Sequence, residues 1–176
     1  IVLESQGNRI ALISLDVLGL AKPVLDSIKR AITVSTHIPE DSIWLTVTGN
    51  GTTPPLWRDE PLYANYTTYL PEQVNGAVQA ALRSMEPASM GSTGILLPEV
   101  STFIDGPGLP GNPALFVVAI NRADGTGIAR LMNFACPATI TGPSTMWTAD
   151  YPGYACWALE QNGGGLSLFP QAPSHD

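Results

Sequence analysis

Residues 133–139 read NFACPAT, and residues 149–154 read ADYPGY shortly after them. The first stretch closes an apolar run that is typical of a β-strand. The second carries the signals of a helix start, because Asp150 is a good N-cap and Pro152 needs no backbone N–H in a first turn. Together they predict a strand that ends within NFACPAT, and a helix that runs from Asp150 through Glu160.

Towards the N terminus, the sequence alternates between strand and helix patterns. Residues 9–17 form a nearly continuous apolar run with β-branched residues, which is typical of a strand buried on both faces. Pro23 can open a helix, and apolar residues follow it at helical spacing. Residues 43–48 are the next strand. Strand, helix and strand in this order favour an α/β layer architecture.

The remaining patterns complete one domain over residues 1–176. A helix is predicted at 71–85, and short strands are predicted at 95–97, 114–121, 128–135 and 166–169. The connection between the strands at 114–121 and 128–135 contains Asp124-Gly125, which is a strong hairpin signal. The predicted fold class is therefore α/β, with a mixed β-sheet flanked by helices.

Composition excludes some classes of partner. The chain has 176 residues, of which 44% are hydrophobic and 13% charged, and its net charge is -7. This acidic balance argues against nucleic acid and against charge-driven docking to anionic lipid. No apolar run approaches the ~20 residues of a transmembrane segment. The chain opens without a signal peptide pattern, so we expect a mature or trimmed chain.

Weaker features favour an extracellular or secreted protein. Few charges and many Thr, Ser and Pro residues point this way, and two sequons begin at Asn50 and Asn65, which are possible glycosylation sites. Cys136 and Cys156 could form a disulfide, but sequence alone does not show whether their Cα atoms come within reach.

The two opening stretches resemble the NFACHPT and SADYPGY motifs of the neutral/alkaline non-lysosomal ceramidase family. SLDVLGL at 14–20 resembles a strand-to-helix segment of that family, and the order of elements follows its N-terminal domain over nearly all of the chain. The resemblance implies a neutral-ceramidase-like fold and a chain that is truncated relative to the family. Members of this family are zinc amidases that cleave the N-acyl bond of ceramide.

The departures from the family pattern fall on its metal-site motifs. TGNGTTP at 48–54 corresponds to THTHSGP, so Gly49 and Gly51 stand where the family has histidines, and Pro137 replaces the histidine of NFACHPT. Gln171 keeps its place in the family's last motif, as does Asp176. Zinc catalysis needs about three protein ligands with lone pairs, which glycine and proline lack. We therefore predict no metal site at these former metal-site positions.

Four residues remain as weak catalytic candidates, namely Asp16, Asp150, His175 and Asp176. Asp16 lies at the end of a buried strand, and Asp150 has its N-cap role as a simpler explanation. His175 and Asp176 could be a rebuilt ligand pair or a general base, but a solvated polar C terminus is the favoured interpretation of this pair. His37, just after the first helix, is interpreted as structural, and Cys136 as a buried thiol rather than a nucleophile activated by His175.

Aromatic residues are the other candidates for contact with a partner. Trp44 is predicted to lie in the core. Trp57 and the group Tyr63, Tyr66 and Tyr69 lie in or near predicted loops, where they could contact a protein partner, a lipid or a glycan. Trp147 and Trp157 belong to the same set of candidates.

The favoured hypothesis is a non-catalytic ceramidase-like scaffold, a pseudoenzyme that serves binding or extracellular assembly, including self-association. It needs no cofactor. The alternative is a zinc-dependent amidohydrolase of the ceramidase class with a rebuilt or shared metal site, for which Asp16, Asp150, His175 and Asp176 would be the contributors. A structural subunit of an assembly is not separated from the first hypothesis by the sequence.

Overall fold

The computed structural model describes residues 1–58, 61–98, 100, 114–142 and 146–173. The strands are β1 Val2–Ser5, β2 Asn8–Leu15, β3 Ile43–Val47, β4 Ser89–Leu96, β5 Ala114–Asn121, β6 Gly127–Phe134 and β7 Leu166–Leu168. The α-helices are α1 Lys22–Thr36, α2 Ala64–Arg83 and α3 Asp150–Gln161. Short 3-10 turns lie at Glu40–Ser42 and Pro61–Tyr63.

The first sheet has the order β1-β2-β3 and carries the predicted strand–helix–strand unit. β1 and β2 are antiparallel and are joined at Gln6 and Gly7, which both have positive φ, as two-residue hairpins of this hand require. β2 and β3 are parallel, and α1 forms the crossover between them. Parallel pairing matters here, because it brings the carboxyl ends of β2 and β3 to the same edge of the sheet.

Helix α1 begins with Pro23 in its first turn, as predicted, and ends at His37. His37 has φ 60 and closes the helix through its backbone N–H, which donates to the Thr33 carbonyl. A left-handed residue after the last turn is a common helix ending. The structure therefore places His37 in the structural role that its position suggested.

Helix α2 begins at Ala64, seven residues before the predicted start at Pro71. The prediction was wrong because it treated Pro71 as a first-turn residue, whereas Pro71 lies inside the helix. Leu70 is buried with Val74 and Val78, so the apolar stripe of the helix extends back past the proline. Burial of this stripe offsets the one backbone hydrogen bond that a proline removes.

The second sheet has the order β4-β5-β6-β7. β4, β5 and β6 form an antiparallel meander, and β7 pairs with β6 in parallel. The predicted hairpin between β5 and β6 is confirmed. β4 starts at Ser89 and is longer than the predicted strand at 95–97. The α/β class with mixed sheets flanked by helices is thus confirmed, with two sheets instead of one.

Each sheet has its own apolar core. The first core centres on Ile28, Ile32 and Ile43, and the second on Phe134 and Phe169. Among the described residues, no helix has both the length and the apolar character that crossing a membrane requires.

The prediction that Trp44 lies in the core is wrong, since 61% of its surface is exposed. Side chains alternate along a strand, and Ile43 faces the core, so Trp44 points to the opposite side of β3.

Candidate functional site

Polar side chains gather where the carboxyl ends of several strands meet. Asp16 follows β2 directly, and Thr48, Gly49 and Asn50 follow β3. Asn50 forms a parallel bridge with Ala138, which lies beyond the end of β6. In α/β folds, ligands bind at this kind of edge.

Backbone hydrogen bonds hold these strand extensions together. The Gly49 N–H donates to the Val17 carbonyl, and the Gly51 N–H donates to the Ala138 carbonyl. The Gln171 N–H, after β7, donates to the Val47 carbonyl at 3.2 Å. The edge thus brings together the segments that contain Gly49, Gly51 and Pro137, the three positions that the sequence resemblance aligns with histidines of the family.

Asn50 is the centre of the hydrogen-bond network at this edge, and its surface is 0% exposed. Its Nδ2 donates to Asp16 Oδ1 at 3.1 Å and to the Thr148 carbonyl at 2.6 Å. Its Oδ1 accepts from the Thr52 backbone N–H at 3.0 Å. A buried amide with all of these partners fixes the geometry of three loops at once. Sequence reasoning missed this role, and the one signal for it was a polar residue between two glycines directly after a strand.

Asp16 lies at the surface of the same network. Its Oδ1 accepts from the Thr48 hydroxyl at 2.7 Å and from the Asn50 amide. Both donors are uncharged. In the part of the chain that the structure describes, no lysine or arginine forms an ion pair with Asp16. Asp16 therefore presents a carboxylate that is held in place and is not neutralised by a cationic neighbour.

The space beside Gly49 is filled by the side chain of Gln171. Gly49 has φ +70, and a Cβ atom built on it would lie 1.4 Å from Gln171 Oε1. A histidine at position 49 and the present conformation of Gln171 therefore exclude each other. Gly51 is less crowded, because its nearest neighbour would be Thr139 Cγ2 at 3.6 Å. Pro137 is buried at the same edge.

The described groups at this edge do not fit a zinc ion. No three His, Cys, Asp or Glu side chains lie close enough together to hold a metal within residues 1–58, 61–98, 100, 114–142 and 146–173. The Asn50 Nδ2 directs an N–H donor at Asp16, where a cation would need a lone pair. Two candidates, His175 and Asp176, lie outside the described residues.

Asp150 is buried, with 1% of its surface exposed, and its side chain bonds to the chain segments on either side of the start of α3. Its Oδ2 accepts from the Thr141 backbone N–H at 3.0 Å and from the Thr141 hydroxyl at 2.8 Å, and its Oδ1 accepts from the Tyr151 N–H at 2.7 Å. Burial alone raises the pKa of this carboxyl, but the hydrogen bonds from Thr141 and Tyr151 outweigh it and hold the pKa below its usual value. Both oxygens are therefore bonded to the protein's own chain.

The predicted N-cap role of Asp150 was wrong by one position. The helix starts at Asp150 itself, and Ala149 occupies the cap position without a side-chain cap bond. Asp150 has φ 46, an uncommon value for a residue other than glycine, and its side chain bonds back to Thr141 instead of capping the next turn. The carboxylate thus ties the start of α3 to the loop that follows β6.

A cavity of about 710 Å³ opens beside Asp16. It is lined by Asp16, Thr53, Pro54, Leu62, Tyr63, Asn65, Tyr66, Trp147, Thr148 and Ala149. Its volume is in the range of small-molecule sites. The structure therefore brings two sets of candidates together, the strand-end carboxylate and some of the aromatic residues singled out in the sequence.

Neither cysteine has the properties of a nucleophile. Cys136 and Cys156 are both free of disulfide bonds, and Cys136 belongs to the second core. Burial, with smaller contributions from Glu160 and Asp16, raises the pKa of the Cys156 thiol to about 11. This thiol is therefore protonated near neutral pH.

The two sequons lie in different environments. The Asn50 amide is completely buried and hydrogen-bonded, so the folded chain offers it no room for a glycan, and the glycosylation expected at Asn50 is not compatible with this structure. Asn65 is exposed at the cavity, and its glycosylation stays a prediction.

Comparison with known proteins agrees on the fold. No protein-family model matches the chain, and no curated protein matches it. Among solved structures, the chain is similar to a ceramidase complexed with C2, with a TM-score of 0.81 and 16% identity over 97% of this chain. It is also similar to the neutral ceramidase from Pseudomonas aeruginosa, with a TM-score of 0.73 and 17% identity over 96% of this chain. The chain spans 30% and 31% of these two proteins, so the likeness is to one ceramidase domain.

Proposed function

We propose that this chain is a non-catalytic domain of ceramidase fold that binds a small ligand at the edge beside Asp16. The observation that carries the proposal is that the Gln171 amide occupies the space beside Gly49 that any side chain at position 49 would need. The cavity that opens beside Asp16 supplies room for a ligand.

The chemistry of the edge supports binding rather than hydrolysis. Zinc-dependent amide cleavage needs about three ligands and an open position for water. At this edge, the groups around Asp16 are a hydroxyl from Thr48 and an amide from Asn50, and both act as donors to the carboxylate. Such a network holds an anionic group in a fixed position without generating a nucleophile.

Metal retention and turnover test this proposal. The protein is exposed to zinc and desalted, and its zinc content is measured together with hydrolysis of an N-acylsphingosine. We expect no retained zinc and no turnover above that of a heat-unfolded sample. Retention of about one zinc per chain, with turnover that a chelator abolishes, would overturn the proposal and support the zinc amidohydrolase.

If zinc is retained, the two histidines of the chain provide a matched pair of variants that show whether it occupies a specific site. If a rebuilt metal site exists, His175→Ala removes the bound zinc. His37→Ala leaves it in place, because His37 closes α1 through its backbone. Loss of zinc in both variants would point to adventitious binding by histidine, and the non-catalytic proposal would stand.

Assembly is a second candidate function, and the exposure of β4 favours it. All eight residues of β4 are exposed at the edge of the second sheet, and Met90 and Leu96 lie on one face of the strand. Exposed edge strands with apolar side chains are sites of pairing between chains.

Sedimentation over a range of concentrations tests this second candidate. We expect the wild-type chain to self-associate and Leu96→Lys to weaken the association. Thr93→Lys, on the opposite face of β4, is the control and should behave as the wild type does. A wild-type chain that stays monomeric at every concentration would exclude self-association through β4.

A further inference from the structure

Among the described residues that line the cavity, Asp16 is the charged one. The other described lining residues are apolar, aromatic or neutral polar, and none of them is a lysine, an arginine or a histidine. Charge in the cavity therefore selects for a positive group in a ligand. The net charge of the chain, -7, acts in the same direction at longer range.

Aromatic rings share this cavity with the carboxylate. Tyr63, Tyr66 and Trp147 all contribute to the lining. The face of an aromatic ring attracts an ammonium group, and tryptophan does so most strongly. Trp147 is 74% exposed and Leu62 is 79% exposed, so large apolar side chains stand open to solvent at this cavity. Exposed apolar groups that line a cavity are typical of a binding site.

The carboxylate is also oriented for an external partner. Thr48 and Asn50 both donate to Asp16 Oδ1. Among the described residues, no hydrogen bond reaches Asp16 Oδ2, which leaves that oxygen for a ligand. An exposed carboxylate that is fixed through one oxygen loses little conformational entropy when the other oxygen binds a cation.

We propose that this cavity binds an organic cation, an ammonium group on an apolar body, with Asp16 contacting the charge and Tyr63, Tyr66 and Trp147 surrounding the substituents. The inference rests on the proposed function, because a metal ion at this edge would compete for Asp16. A body larger than the ammonium group is expected, since the volume of about 710 Å³ exceeds what a single ammonium group fills.

Three probes of nearly the same shape test the charge preference. Choline is the cation, 3,3-dimethyl-1-butanol is its neutral counterpart, and 3,3-dimethylbutanoate is the anion. Binding is followed through the indole N–H signal of Trp147 in NMR titrations, assigned by its loss in Trp147→Phe. We expect choline to bind about fivefold more tightly than the alcohol, because an exposed charge contact contributes about 1 kcal/mol. The anion should bind most weakly.

Two pairs of variants show which residues cause the charge preference and bind choline. Asp16→Asn should abolish the preference for choline over the alcohol, whereas Asp41→Asn, which removes an exposed carboxylate elsewhere, should keep it. Trp157→Ala is a control for Trp147→Ala, because Trp157 is exposed but does not line the cavity. With binding followed by calorimetry, Trp147→Ala should weaken choline binding by roughly fivefold and Trp157→Ala should not.

Three outcomes would overturn the inference: equal binding of choline and the alcohol, a preference that survives in Asp16→Asn, or no binding of choline at any concentration. The zinc content of the same sample separates this failure from a failure of the proposed function. Zinc-free protein that does not discriminate among the probes overturns the inference about the ligand alone. Protein that retains zinc and hydrolyses the amide overturns the proposed function itself.

Discussion

Asp16 and Asp150 are two carboxylates near the same edge of the molecule, and they differ in almost every physical respect. Asp150 is 1% exposed and accepts three hydrogen bonds from Thr141 and Tyr151. Asp16 is exposed, accepts two bonds on one oxygen only, and lines a cavity. A carboxylate whose two oxygens are bonded to its own chain stabilises the fold, whereas one with an open oxygen can bind something else.

The comparison also explains why a motif residue can serve the fold rather than the chemistry. Asp150 lies in ADYPGY, the stretch that marks the fold, yet it holds the loop whose Thr148 carbonyl accepts from Asn50. Asn50 in turn bonds Asp16. Asp150 is therefore linked to the network around the exposed carboxylate through its backbone N–H, which donates to Thr148 Oγ1.

The largest effect is expected at Asp150. Asp150→Ala removes the acceptor of three hydrogen bonds in a buried position and should lower the free energy of unfolding by about 3 kcal/mol. Urea denaturation measures this change. Asp150→Asn keeps one acceptor oxygen and tolerates positive φ, so it should cost less. Equal losses in both variants would mean that the negative charge, rather than the side-chain shape, stabilises the loop.

The next effect is expected at Asn50. Asn50→Ala removes the acceptor of the buried Thr52 N–H and one of the two donors to the Thr148 carbonyl, which keeps the Thr52 hydroxyl, and should cost about 2 kcal/mol. Urea denaturation again gives the value. Asn75→Ala, a helix variant with one exposed side-chain bond, is the control and should change stability little. If Asn50→Ala is as mild as the control, Asn50 does not hold the edge together.

A smaller effect is expected where Gly49 meets Gln171. Gly49→Ala places a methyl group against the Gln171 amide in a left-handed conformation, and should cost about 1–2 kcal/mol. Gln171→Ala in the same chain removes the collision but keeps the backbone strain, so the double variant should recover part of the loss. A double-mutant cycle by urea denaturation separates the two terms. Additive losses would show that the two side chains do not share this space.

The buried carboxylate also predicts a pH dependence. Its pKa is lower in the folded chain than the ordinary value of 3.8, so the stabilisation that it supplies is fully present above 3.8 and disappears as the pH falls through the folded pKa. The difference in unfolding free energy between wild type and Asp150→Asn should therefore be constant near neutral pH and shrink in acid. A difference that grows on acidification would contradict the lowered pKa.

Most of the helices and strands could be predicted from the sequence, because their residues form strong local patterns. The Asp124-Gly125 turn and the first-turn Pro23 each predict structure from neighbouring residues alone, and both predictions hold. The apolar run at 9–17 does form a strand, but its predicted burial on both faces is wrong, since Ala11 alone among the residues of β2 is buried. The wrong predictions concern features that depend on contacts between residues far apart in the sequence. Trp44 points away from the core because of the register of its strand. Helix α2 begins before Pro71, because Leu70 is buried together with Val74 and Val78.

The site was predictable only in part, for the same reason. Asp16 could be placed at a strand end from local pattern, and it does line the cavity. The bond from Asn50 to the Thr148 carbonyl joins residues 98 positions apart, and no local pattern records such a contact. The packing of the Gln171 side chain against Gly49 likewise depends on how two strand ends approach each other.

The smallest effect on stability is expected at Asp16, and it is the sharpest test of the contrast with Asp150. Asp16→Asn keeps an oxygen that can accept from Thr48 and Asn50, and the side chain is exposed, so the loss should be within about 0.5 kcal/mol. Asp41→Asn is the matched control, with the same change of charge at another exposed site. A loss comparable to that of Asp150→Ala would make Asp16 a structural carboxylate as well, and the basis for a ligand at its open oxygen would be removed. A small loss of stability combined with a lost preference for choline would instead assign the two carboxylates to different tasks, one to the fold and the other to binding.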